Sequence, residues 1–156
     1  MTTKPPTIVD LTWIGDLKFS ATFSNRRHHS EDRYPIVPER LLTSDPGLIL
    51  DSAGIEGPSP VDALGAAVAS CMTTDVVDIL VKGRHPLTAL QSHLVAERAA
   101  ANPHRFVSMT LHFTIEGQVP REAIERAIAL SRDKYCSVWH SMRQDIAFTV
   151  TFDQRA

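Results

Sequence analysis

The 156-residue chain predicts an α+β fold, on three observations. Apolar and polar residues alternate with the period of a half-buried strand in several short segments. A helix with a complete start signature stands among them. The resulting order, ββ(β)–α–ββ–α–β, is that of an α+β protein.

Two strands open the chain. Val9, Leu11 and Trp13 alternate with Asp10 and Thr12; Phe19, Ala21 and Phe23 alternate with Lys18, Ser20 and Thr22. Gly15-Asp16 between them supplies turn chemistry, which predicts a hairpin. The polar, aperiodic stretch 24–35 reads as a loop, placing His28 and His29 in solvent. A short extended segment follows at 48–50. Ser59-Pro60-Val61-Asp62 then starts the main helix. Serine is its N-cap, proline occupies the first helical position where its missing N–H costs nothing, and an acid three residues after the cap closes a capping box. The body, Ala63 to Met72, is dense in small residues and suits close packing; Gly83 and Pro86 mark the end.

Two long strands are expected next, over 87–96 and 106–116. In the second, Val107, Met109, Leu111, Phe113 and Ile115 share the dry face. A second helix starts at Pro120, carries Ile124, Ala127, Ile128 and Ser131 on one stripe, and runs to about Lys134. A short helical piece over 137–143 and a strand with Ile146, Phe148, Val150 and Phe152 on one face complete the order. With no repeat or linker, residues 1–156 read as a single domain.

Composition narrows the function. Sixteen Lys and Arg against eighteen Asp and Glu leave a formal charge of −2, with no basic stripe, so a nucleic-acid partner is not expected. The opening residues lack the apolar stretch of a secretory signal, and the apolar run 61–81 is broken by Asp62, Asp75 and Asp78. It reads as a buried helix, neither spanning a membrane nor binding one, in a cytoplasmic protein. Because that helix is apolar nearly all round, a homodimer is expected. Two cysteines are too few for a disulfide framework, and no zinc-knuckle spacing is present. No cofactor and no metal is expected.

Cys71 and Cys136 are therefore the candidate chemistry, as either small buried hydrophobes or a redox pair. Asp62 lies nine positions before Cys71, on the opposite helix face, which assigns it to the capping box. Asp75 and Asp78 fall on the Cys71 face. A carboxylate there disfavours a thiolate, so the pair is expected to cap loops or bind an arginine or backbone amide across a dimer. His140, four residues after Cys136, is a possible proton donor; as a metal ligand with both cysteines it lacks a fourth partner.

Several segments resemble the OsmC/Ohr family. Gly57-Pro58-Ser59-Pro60 followed by Ala66-Ala67-Val68-Ala69-Ser70-Cys71-Met72 is similar to its central-helix signature, and Lys134-Tyr135-Cys136-Ser137-Val138 to its second cysteine motif. The opening hairpin around 13–19 and the strand at 105–113 are similar to the family's as well, so the likeness spans nearly the whole chain. It implies an intertwined dimer whose antiparallel sheets wrap two long central helices. It also implies thiol-dependent reduction of organic hydroperoxides, with Cys71 attacking, Cys136 resolving, and a dithiol such as a lipoyl protein or thioredoxin as reductant. Asp62, Asp75 and His140 are the possible supporting residues. Two departures stand beside this: peroxidase members carry glutamate where this chain has Val61, and none of Arg26, Arg27, Arg33 and Arg40 sits in a recognisable motif. They keep open two other readings, a non-catalytic dimeric module for a small apolar ligand and a thiol redox sensor.

Overall fold

The computed structural model describes residues 9–15, 18–23, 48–53, 55 and 57–155. The expected loop at 24–35, with His28 and His29, and the four N-terminal arginines lie outside them. Contacts divide the chain after Ala63 into two compact units.

In the first unit, β1 (Val9–Gly15) and β2 (Lys18–Phe23) form the expected hairpin, pairing antiparallel from Val9–Phe23 to Gly15–Lys18. β3 (Leu48–Asp51) adds antiparallel to β2. Asp51 is fully buried, and its two carboxylate oxygens accept the amides of Ala53 and Ile55 at 2.9 Å each. A buried carboxylate is tolerated when its lone pairs are filled in this way.

The main helix, α1, spans Pro60–Lys82 and starts where its sequence directs. Ser59 Oγ accepts the Asp62 amide at 3.2 Å, and Asp62 Oδ2 accepts the Ser59 amide at 3.2 Å and its hydroxyl at 2.7 Å. This is the reciprocal capping box. Asp62→Ala is accordingly expected to cost about 1 kcal/mol of stability, with any activity loss tracking loss of folded protein. Thermal melts check it; an unchanged melting temperature in folded Asp62→Ala would contradict the capping role.

The second unit holds a sheet of order β4–β5–β6, formed by Leu87–Arg98, Phe106–Gly117 and Ala147–Arg155. β4 and β5 pair antiparallel, but β5 and β6 are parallel, which corrects the expectation of purely antiparallel sheets. The cause is the crossover. After Gly117 the chain passes through α2 (Arg121–Leu130), a π-helical turn (Ser131–Tyr135) and α3 (Ser137–His140) before it re-enters the sheet. Such a connection returns the chain in the direction it left. β5, in the middle, buries Met109, Leu111, Phe113 and Ile115 as expected. At its start Phe106 is buried in place of Val107, because the register shifts between Glu97 and Arg98 and a bulge moves the phase by one residue. Val68, Met72, Val76 and Leu80 of α1, Ile124 and Ala127 of α2, and Trp139 packed on Phe148 complete the core.

Candidate functional site

Cys71 and Asp75 stand four residues apart on α1, one helical turn, and so share a face. That face is half-buried, beside the fully buried stripe of Val68, Met72, Val76 and Leu80. Thr73, on the same stretch, donates to Ser92 Oγ at 3.0 Å and ties the helix to β4. Asp75 is tied to the crossover: the Ser131 hydroxyl donates to its Oδ2 at 2.7 Å.

Ser131 also positions the second cysteine. The helix widens to a π turn at this point, and the Cys136 amide donates to the Ser131 carbonyl at 2.8 Å. A π turn inside a helix is uncommon and costs ideal geometry. Here one residue anchors Asp75 through its side chain and Cys136 through its backbone. Cys136 leaves the turn with extended backbone and opens α3, where its sulfur accepts the Trp139 amide at 3.4 Å.

The outcome is a three-membered cluster. The sulfurs of Cys71 and Cys136 and a carboxylate oxygen of Asp75 lie within 4.8 Å of one another. Ser137 Oγ is 4.0 Å from the Cys71 sulfur. Cys136 is fully buried; Cys71 is not. Burial pushes the Cys136 thiol up to about 11; the Trp139 amide opposes the shift, and Cys71 and Asp75 add to it. At neutral pH Cys136 is therefore a thiol. Because its folded value lies above the ordinary one, the stability this contributes is full below the ordinary thiol range and lost as pH rises through about 11.

The cysteines thus meet, and Asp75 joins them. Within the chain, Asp75 accepts from a serine hydroxyl and Asp78 pairs with Lys82 on its own helix. His140 is exposed, and among the described residues Asp75, not His140, supplies the third ligating atom. Asp62 is occupied in the capping box. Sequence reasoning missed the roles of Ser131 and Ser137. The signal for Ser131 was a hydroxyl on the apolar stripe of a helix, which burial obliges to find a partner. A cavity of about 530 Å³ between α1 and α2 is lined by Ile79, Leu80, Ala123 and Leu130, with Glu122 and Arg126. Neither cysteine lines it.

A profile of the OsmC-like protein family matches residues 52–151. Protein YhfA of Escherichia coli strain K12 is 33% identical over 103 residues, which are 65% of this chain and 77% of that protein. Among solved structures, a hypothetical protein from Aquifex aeolicus VF5 superposes with a TM-score of 0.78 at 20% identity, over 97% of this chain and 98% of that one. An organic hydroperoxide resistance protein OsmC from Legionella pneumophila gives 0.62 at 13% identity, over 97% and 99%. At such identities the two structures speak for the fold.

Proposed function

The chain belongs to the OsmC-like protein family, and on that premise we propose that it reduces organic hydroperoxides with Cys71 and Cys136 as a working pair. The observation that carries this reading is the approach to within 4.8 Å of two sulfurs, one on α1 and one at the start of α3. Cys71, the more accessible, is the attacking group. Its thiolate takes the terminal peroxide oxygen, the O–O bond breaks, and the alkoxide recovers the proton that Cys71 gave up. The products are an alcohol and a Cys71 sulfenic acid. The Cys136 sulfur then attacks the sulfenic sulfur, the S–O bond breaks, and water leaves as the disulfide forms. An external dithiol, of lipoyl or thioredoxin type, returns both thiols by exchange. Closing the disulfide requires the sulfurs to approach to about 2.05 Å, a shift that rotation of the Cys71 side chain and the short α3 turn can share.

Holding Cys136 as a buried thiol suits a resolving role, because it leaves the first attack to Cys71. The test is steady-state consumption of an organic hydroperoxide with a dithiol as reductant. A rival reading, a non-catalytic module for a small apolar ligand, draws on Val61 and on the Asp75 carboxylate beside the sulfurs. It predicts no turnover.

The proposal includes one domain over residues 1–156, a cytoplasmic location and a homodimer. α1 is long and apolar enough by length and composition to cross a membrane, yet only 28% of its apolar stretch is buried within the chain. Asp75 and Asp78 sit in that stretch with hydroxyl and ammonium partners, which suits a helix enclosed by protein. A second copy would cover the remainder. Light scattering at low micromolar concentration should give twice the chain mass; a stable folded monomer would contradict the dimer.

A further inference from the structure

We propose that Cys71, Asp75 and Cys136 form a binding site for a zinc ion. The inference goes beyond peroxide reduction, although it uses the same two sulfurs. Two thiols and a carboxylate offer three ligating atoms within 4.8 Å of one another. Bonds of about 2.3 Å to sulfur and about 2.0–2.2 Å to oxygen place tetrahedral zinc ligands roughly 3.5–3.8 Å apart. The cluster therefore needs a contraction of about 1 Å, within reach of side-chain rotation.

Two ligands four residues apart on one helix face make a ready chelate, and the third comes from the tight turn after the π segment. The surroundings provide the outer support that metal ligands require. The Ser131 hydroxyl fixes the Asp75 carboxylate at 2.7 Å, and the Trp139 amide donates to the Cys136 sulfur at 3.4 Å, where it stabilises negative charge. Two sulfurs favour zinc over magnesium or calcium, and the carboxylate favours it over copper(I). Three protein ligands leave the fourth position to water. On binding, the two thiols release two protons to solvent, and the cation takes up both thiolates. Zinc would thereby hold both sulfurs away from peroxide until a chelator or competing thiol removes it.

Cobalt(II) is the probe, because it takes zinc sites and reports sulfur ligation by thiolate-to-metal charge-transfer absorption. Reduced wild-type protein should bind one equivalent per chain with that absorption, and zinc should displace it. Asp75→Asn should weaken cobalt binding roughly tenfold or more, and Cys71→Ser should abolish the stoichiometric site. Wild-type protein with Cys71 capped by iodoacetamide, which needs no folding of a variant, should also lose the absorption. Absence of the charge-transfer band in wild type would overturn the site, as would its retention in the capped protein or unchanged affinity in folded Asp75→Asn. None of these readouts involves peroxide, so failure here leaves the reductase reading standing, and the converse holds.

Discussion

Cys71→Ser is expected to lower hydroperoxide turnover by at least about a hundredfold while leaving the fold intact. The side chain is half-buried on α1, and the hydroxyl nearly matches the thiol in size, so packing beside Met72 and Val68 is preserved. Serine is a far weaker nucleophile than a thiolate at neutral pH. Cys136→Ser should behave differently. It removes the resolving sulfur but not the attacking one, so a single equivalent of peroxide is still consumed and cycling with a dithiol stops. The contrast is the diagnostic part, since two inert core cysteines would give no such split. Dithiol-dependent peroxide consumption, with a rapid-mix trace for the first turnover, checks both variants. Wild-type rates in Cys71→Ser would remove it from the mechanism.

Gly117→Ala should be the most damaging of the small substitutions, costing about 3 kcal/mol or more. Gly117 ends β5 with φ +116°, a conformation that residues with a Cβ rarely adopt. An added Cβ would stand 2.2 Å from the Pro86 carbonyl oxygen and 3.1 Å from the Thr88 amide nitrogen. Both obstacles are backbone, so a rotamer change cannot relieve them. The site is also tied on its other side: the Gln154 side-chain amide donates to the carbonyls of Gly117 and Val119 at 2.9 and 2.7 Å. The junction pairs the end of β5 with Leu87 at the start of β4, at the end of the hairpin away from its turn and a few residues after α1, the helix that carries Cys71 and Asp75. Urea denaturation should show a large fall in midpoint with the slope unchanged. A loss below about 1 kcal/mol would mean that the backbone there adapts.

Local chemistry explains what the sequence made legible. The capping box at Ser59 and Asp62 and the alternation along β5 are each set by neighbouring residues, so they could be read without a structure. The pairing of β6 could not. Its strand pattern is the same whether it lies parallel or antiparallel to β5, and the crossover decides. Val107 was misplaced because a bulge arises from the pairing of two strands, not from either one. The same limit applied to the site. Cys71 and Cys136 stood out as the only two thiols, but nothing local announces that Asp75 joins them, because Ser131 reaches it across the fold. His140 looked equivalent to Asp75 by helical spacing. The helix after Cys136 ends at His140 itself, which leaves that side chain exposed.

The account turns on Cys71 and Cys136 forming one redox pair within a chain. Reduced wild-type protein treated with one equivalent of an organic hydroperoxide, then digested without reductant and mapped by mass spectrometry, tests this directly. The prediction is a Cys71–Cys136 disulfide joining peptides of the same chain, replaced in Cys136→Ser by sulfenic acid at Cys71. A map in which both thiols survive while peroxide persists, or in which only chain-to-chain disulfides form, would contradict it.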